Sequence, residues 1–160
     1  MSKLQLLRDF YDYNAYANEH LVNVASGAPQ EKLSEIVPTL AHIAAAQINW
    51  LERWQTGVNQ RSRVLIQAEM RSLDDVRQAL ARSHPDLSEY LDSLTEVQLD
   101  SDLEFRDSSG AVTVTPLWQL MLHVANHGTY HRGEVAAALT ALGHSPGDLD
   151  FFYWAESRET

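Results

Sequence analysis

Apolar residues recur every three or four positions along four long segments of this sequence, and this period constrains the fold more than any other feature. The segments run from residue 4 to about 25, from 39 to 55, from about 72 to 94 and from 116 to 142. Such a period places the apolar side chains on one face of an α-helix. Each helix must bury that face against another, so the sequence predicts an all-α four-helix bundle.

Residues typical of helix ends bound these segments. Pro38 has the fixed φ that suits the first turn of the second helix, and Ser72 with Asp75 forms a capping-box pattern at the start of the third. Thr115 and Pro116 form an N-cap and first-position pair for the last helix. A glycine follows the second segment and another follows the last, as expected at helix C-termini.

The connection before the last helix has a different period. Leu103 and Phe105 alternate with polar residues, as do Val112 and Val114, and residues 107–110 are rich in turn formers. Alternation of this kind places apolar side chains on one face of a strand. The sequence therefore predicts a short β-hairpin before the last helix.

Length and composition bound the organisation of the chain. Its 160 residues fit one domain, 1–160, and can bury enough apolar surface to fold without a disulfide or a structural metal. The chain has no cysteine, which excludes a disulfide, a thiolate metal site and a cysteine nucleophile. Any thiol chemistry must therefore use an external thiol.

Charge and hydropathy argue against two classes of partner. The formal net charge is −10 at pH 7, so the overall field repels polyanions and we expect no nucleic-acid partner. No run of about 18 apolar residues is present, and the first ten residues contain three charged ones. We therefore expect a cytoplasmic protein with no membrane association.

Three histidines lie on the last helix at i, i+4 spacing: His123, His127 and His131. On a helical wheel with Leu117 at zero, His131 lies at about −40°, inside the apolar stripe, and His127 at about −80°, at its edge. His123, at about −120°, fits a surface or pocket-rim position. Imidazoles at this spacing share a helix face, so His127 and His131 together can chelate one ion.

Imidazoles at a core face need partners, because an unpaired buried polar group costs about 1–3 kcal/mol. A metal ion would satisfy both rings. Gly128, between them in the stripe, leaves room for an ion or for a neighbouring helix. The alternative is a pair of core or interface histidines bonded to other protein groups, and the spacing alone leaves it open.

His42 completes a candidate set of three metal ligands. We expect it in the first turn of the second helix, among small residues: Ala41, Ala44, Ala45 and Ala46. Three neutral imidazoles leave coordination positions for water or substrate, which is typical of catalytic sites, and they suit zinc, nickel, iron or copper better than magnesium or calcium. Glu134, three residues after His131, is the candidate catalytic base or a group that orients a ligand.

Several stretches match a known family over nearly the whole chain. They are residues 13–18, Leu40–Ile43 through Trp50 and Leu51, Leu117–Leu120 and, most specific, His123–Glu134. Through them the chain resembles the DinB/YfiT-like family of small bacterial metal-binding bundles. The family often has histidine where Tyr130 stands and glutamine where Glu134 stands, and neither departure touches a ligand.

The resemblance implies a four-helix fold with a long crossover connection and a metal, commonly nickel or zinc. One histidine of the second helix and two of the last would bind it, which in this sequence are His42, His127 and His131. Relatives include thiol-dependent S-transferases and an isomerase that uses a low-molecular-weight thiol. The resemblance therefore favours thiol transfer over hydrolysis.

Three functions fit these residues. A metalloenzyme would use the ion to lower the pKa of a bound water or to bind an external thiol as thiolate, and would act on a small molecule. A non-catalytic metal-binding or stress-response protein would hold the ion without turnover. A helical interaction module would use the histidines only to fill an interface.

The aromatic residues 151–154 are expected to pack on the bundle. We also expect a homodimer, with the first and last helices as candidate interface elements, unless their apolar faces form internal core.

Overall fold

Four long helices form the body of the molecule. The computed structural model describes residues 1–58, 61–106 and 110–158. The long helices are α1 (Lys3–Ala25), α2 (Leu33–Thr56), α4 (Leu73–Ser93) and α6 (Leu117–Ala141), and the short ones are α3 (Arg63–Glu69), α5 (Glu96–Asp100) and α7 (Phe151–Ser157). Each long helix packs against two others, in the order α1, α6, α2 and α4 around the bundle. The predicted all-α four-helix fold is confirmed.

The predicted hairpin lies in the long connection between α4 and α6. Strand β1 (Asp102–Arg106) pairs antiparallel with β2 (Val112–Pro116). Leu103 and Phe105 of β1 pack against the core, which explains the alternation of apolar residues in that strand. Val112 and Val114 of β2 alternate as well but are exposed. Of the predicted turn, residues 107–109 lie outside the described residues, and Gly110 has a φ of 85°, which glycine adopts without strain.

Helix α2 begins at Leu33 and not at Thr39, so the predicted start is wrong. Pro38 lies inside the helix, where proline costs about 3 kcal/mol. Leu33 and Ile36 are buried and extend the apolar face past the proline. Burial of about 1.5–3 kcal/mol for each such side chain outweighs that cost. His42 therefore lies well inside α2 and not in its first turn.

The start of α6 also differs from the prediction. Thr115, the predicted N-cap, lies in β2 opposite Leu103, and Pro116 occupies the cap position. Pairing between the strands holds Thr115 in the sheet. The capping box of Ser72 and Asp75 at the start of α4 is confirmed.

Helices α3 and α5 were not predicted. Ser62 caps α3 through its side chain, and Thr95 with Gln98 forms a capping box on α5. Each helix has a single buried residue, so neither shows a period that sequence could reveal. Helix α3 packs on α2, which places it beside His42.

The core fills the bundle in two clusters. One surrounds Leu21 and Ile43, and the other surrounds Leu87 and Met121. Leu7 of α1 is buried in this core, whereas its neighbour Leu6 is 36% exposed. Within residues 1–58, 61–106 and 110–158, no helix has the length and hydropathy needed to cross a membrane.

The aromatic tail packs on α1, in agreement with the prediction. Phe151 of α7 stacks on Phe10 with ring centroids 4.8 Å apart, and Trp154 lies 5.8 Å from the ring of Tyr13. The contacts place α7 against the outer side of α1. Phe152 on the same short helix stays exposed.

Candidate metal centre

Three histidines converge where α2 packs against α6. His42 Nε2 lies 3.2 Å from His127 Nε2, and His131 Nε2 lies 3.2 Å from the same atom. The candidate ligand atoms of all three lie within 4.8 Å of one another. Buried alanines on both sides of His42 leave room for the rings: Ala41, Ala44, Ala45 and Ala46. The structure thus brings together the three histidines that the sequence singled out.

The spacing of these nitrogens fits a single cation. Two nitrogens bound at about 2.0–2.1 Å from a zinc ion, at tetrahedral angles, lie about 3.3–3.4 Å apart. The two separations of 3.2 Å are close to that value. Without a cation, His127 Nε2 faces two other ring nitrogens, and one proton can join it to only one of them. The three histidines could therefore hold a metal ion.

The surroundings of His127 and His42 favour the neutral form of these two imidazoles. Burial, with a smaller contribution from the charges that His131 and His42 would carry, lowers the pKa of His127 to about 4. Burial and the guanidinium of Arg63 lower the pKa of His42 as well. A metal-binding nitrogen must be unprotonated. At neutral pH no proton competes for His127.

Two side chains of α3 contact the other ring nitrogen of His42. Gln67 Oε1 lies 3.3 Å from His42 Nδ1, and its amide nitrogen donates to the Pro38 carbonyl at 3.0 Å, which fixes the orientation of the amide. The Arg63 guanidinium contacts the same Nδ1. Gln67 Oε1 can only accept from this nitrogen and Arg63 can only donate to it. An imidazole that binds metal through Nε2 carries its proton on Nδ1, so Gln67 is the partner that suits metal binding.

Glu134 holds the ring of His131. Its Oε2 lies 2.7 Å from His131 Nδ1, one turn along α6. The hydrogen bond with His131 lowers the pKa of the Glu134 carboxyl, so the group is ionised at neutral pH. A carboxylate in this position accepts the Nδ1 proton and leaves Nε2 free to bind a metal. The contact supports an orienting role, and the role of catalytic base stays a prediction.

Family membership follows from a match between a family model and the whole length of this chain. The family model described as the DinB family matches residues 1–160. The chain belongs to the DinB family. Protein DinB of Bacillus subtilis (strain 168) is 26% identical over 156 residues, a match that covers 88% of this chain and 88% of that protein. The resemblance inferred from the sequence motifs is confirmed.

In this DinB-family chain, aromatic side chains connect the three histidines to the hairpin. The ring of His123 lies 6.0 Å from that of His127 and 6.0 Å from that of Trp50. Trp50 packs edge-on against Phe105 of β1, with centroids 5.3 Å apart. His123 is exposed and Trp50 is half-buried. The surface position expected for His123 is found in the structure.

Sequence reasoning missed Arg132, which follows His131 on α6. Its side chain is only 2% exposed. The guanidinium donates to Asn14 Oδ1, to Asn18 Oδ1 at 3.2 Å and to Thr129 Oγ1 at 2.8 Å. Asn14 and Asn18, at i, i+4 spacing on the buried face of α1, are the sequence feature that could have predicted a buried polar partner for this helix. This network joins α6 to α1 through the residue that follows the candidate ligand His131.

Gly128 makes room for this network. A Cβ added there would lie 2.9 Å from Arg132 Nη1 and 3.1 Å from Asn14 Oδ1. The nearest atoms belong to the arginine and to the neighbouring helix, and not to an imidazole. The sequence left two explanations for Gly128. The structure supports the close approach of a neighbouring helix, and it does not support space for an ion.

Proposed function

We propose that this chain is a cytoplasmic metal-dependent enzyme that binds one divalent cation, nickel or zinc, through His42, His127 and His131. The observation that carries the proposal is the convergence of three Nε2 atoms, two of them 3.2 Å from the third. When bound, the ion lowers the pKa of a coordinated water or binds a thiol as thiolate. The outer partners Gln67 and Glu134 would favour the tautomers of His42 and His131 that coordination needs, and Arg63 opposes that tautomer at His42.

Access to the site supports catalysis over storage. The side chain of His131 is 19% exposed and that of Glu134 is 47% exposed, so a small molecule can approach from solvent. Structural zinc sites are usually closed by four protein ligands, whereas catalytic sites keep a position open. A set of three histidines matches the open type.

An external thiol is the nucleophile that we favour, because the chain has no cysteine and the resemblance described above implies thiol transfer. The thiol sulfur would attack an electrophilic carbon of a small molecule, and the leaving group departs as the S–C bond forms. The thiol proton passes to Glu134 or to water. Trp50 and His123, whose ring centroids lie 6.0 Å apart, would contact the apolar part of the electrophile.

Elemental analysis and a conjugation assay test the proposal. Purified protein is expected to contain nickel or zinc at about one ion per chain and to accelerate conjugation of a low-molecular-weight thiol with monobromobimane. His131→Ala should lose both the metal and the acceleration. Equal conjugation rates for the two proteins would contradict the thiol-transfer mechanism.

The same measurements separate the two other functions. Stoichiometric metal without thiol conjugation or hydrolysis would favour a metal-binding or stress-response protein. Protein that contains no metal and binds none on titration would leave the histidines as an interface feature of an interaction module.

A further inference from the structure

A positively charged side chain lies beside the candidate metal centre. The guanidinium of Arg63 contacts His42 Nδ1, and its charge helps to lower the pKa of His127. Among the residues that the structure describes, no aspartate or glutamate forms an ion pair with Arg63. Glu134, the acidic side chain at the site, is bonded to His131. The charge of Arg63 is therefore neutralised by none of these side chains.

One edge of the Arg63 guanidinium is open to solvent. The residue is half-buried, and its two hydrogen bonds both use Nη1, to His42 Nδ1 and to Gln67 Oε1 at 3.4 Å. Nε and Nη2 have no partner in the described part of the chain, and neither belongs to the buried side-chain nitrogens that lack one. Water, or a ligand, can therefore reach both of these nitrogens.

A bound cation would increase the need for an anion at this edge. An imidazole that binds metal through Nε2 carries its proton on Nδ1, so His42 Nδ1 could no longer accept from Arg63. Gln67 Oε1, 3.3 Å from Nδ1, would accept that proton instead. The cation and the guanidinium would then be two positive charges at one site, an arrangement that a nearby negative charge stabilises.

A carboxylate has the charge and the shape that this edge can bind. Arginine presents two parallel N–H groups along the edge, and a carboxylate accepts both with its two coplanar oxygens. We propose that Arg63 is a specificity-determining residue that binds the carboxylate of a substrate through Nε and Nη2. This proposal rests on the proposed metal-dependent function and names a substrate class for it. The carboxylate can belong to the electrophile or to the thiol.

Carboxylate binding can be measured on metal-free protein, without turnover. Benzoate and benzamide have nearly the same shape and differ in charge. The signal is the Nε–H group of Arg63 in proton–nitrogen NMR spectra, assigned by its loss in Arg63→Gln. We expect a saturable shift with benzoate at a dissociation constant on the order of 10 mM, and no saturable shift with benzamide.

A matched pair of electrophiles tests recognition during turnover. Iodoacetate and iodoacetamide both alkylate thiols, and the chain has no cysteine that would consume them. The thiol sulfur bonds to the methylene carbon, iodide leaves with the electron pair of the C–I bond, and the thiol proton passes to Glu134 or to water. With mercaptoethanol, kcat/KM for iodoacetate relative to iodoacetamide should fall about 10-fold in Arg63→Gln at full metal loading, mainly through KM. A comparable loss for mercaptopropionate with iodoacetamide, relative to mercaptoethanol, would place the carboxylate on the thiol.

Two further variants serve as controls. Arg63→Lys keeps the charge but not the planar edge, and should lose no more than about threefold of the preference for the carboxylate. Arg82→Gln, at an exposed position of α4, removes a positive charge elsewhere in the chain. It should leave both the preference and benzoate binding unchanged.

The two measurements separate failure of this proposal from failure of the proposed function. The absence of a saturable benzoate shift, or equal binding of benzamide, would overturn the role of Arg63. A preference unchanged by Arg63→Gln with both thiols would overturn it as well. If the parent conjugates no pair of thiol and electrophile, thiol transfer itself is wrong, and the benzoate titration alone decides whether Arg63 binds carboxylates.

Discussion

Arg63 and Gln67 meet the same nitrogen of His42 and favour opposite tautomers of the ring. Arg63→Ala should tighten nickel or zinc binding about 3–10-fold, because a competing donor and a positive charge are removed. Gln67→Ala should weaken it about 10-fold, because the acceptor for the Nδ1 proton is lost. Calorimetric titration of apo-protein measures both effects. If metal affinity rose in both variants, or fell in both, the argument that Arg63 and Gln67 favour opposite tautomers would be contradicted.

Two roles are proposed for Glu134, ring orientation and base catalysis, and substitution can separate them. In Glu134→Gln the amide oxygen can still accept from His131 Nδ1, so metal affinity should stay within about threefold of the parent, whereas Glu134→Ala should lose about 10-fold. If the carboxylate is also the base, Glu134→Gln should reduce thiol conjugation about 100-fold at full metal loading. Glu89→Gln, at an exposed position of α4, is the control. Full activity of the metal-loaded Gln variant would leave Glu134 with an orienting role alone.

For single residues, the sequence predicts best the contacts between positions that are close along the chain. His127 and His131 were found because i, i+4 spacing puts them on one helix face, and the small neighbours of His42 added the third ligand. Arg132 was missed because its partners Asn14 and Asn18 lie 118 and 114 positions away. No spacing rule predicts contacts at that separation.

Among the elements, α6 carries two glycines with opposite expected effects. Gly128→Ala should destabilise the protein by about 1–2 kcal/mol, because the new Cβ would lie 2.9 Å from the buried guanidinium of Arg132. Gly133→Ala, where no atom lies within 4 Å, should stabilise it by about 0.5–1 kcal/mol through helix propensity. Urea unfolding of both variants measures the difference. Equal stabilisation by the two alanines would show that Arg132 is free to move away.

The limits of the elements were harder to predict than the elements themselves. The long helices follow from a period that extends over many turns, and the hairpin follows from alternation around Phe105. The start of α2 was misplaced because buried Leu33 and Ile36 outweigh the effect of Pro38. Helices α3 and α5 are too short to show a period, and this hid Gln67, a contact of His42.

In the whole molecule, a bound cation would join α2 to α6. Nickel or zinc at about 100 times the dissociation constant should stabilise the native state by about 2.7 kcal/mol, and should raise Tm by about 5–11 °C for a chain of this size. A chelator should reverse the shift. His131→Ala should show little shift, and a shift as large as that of the parent would place the metal elsewhere.

Oligomeric state is a separate property of the whole chain. Helices α1 and α6 pack against each other within one chain, so much of their apolar surface is internal. Exposed aromatic rings remain on Tyr16, Tyr130, Phe152 and Tyr153, and the homodimer stays a prediction. Light scattering should return twice the mass of one chain, and Phe152→Ser with Tyr153→Ser should reduce it to one. A single-chain mass for the parent would contradict it.

His42 and His127 are 85 positions apart, although their nitrogens lie 3.2 Å from one another. A cation between them closes a long loop, and such a contact forms only after both helices have docked. Interactions that form after the transition state slow unfolding and leave the folding rate almost unchanged. Metal should therefore lengthen the lifetime of the native chain far more than it hastens its formation.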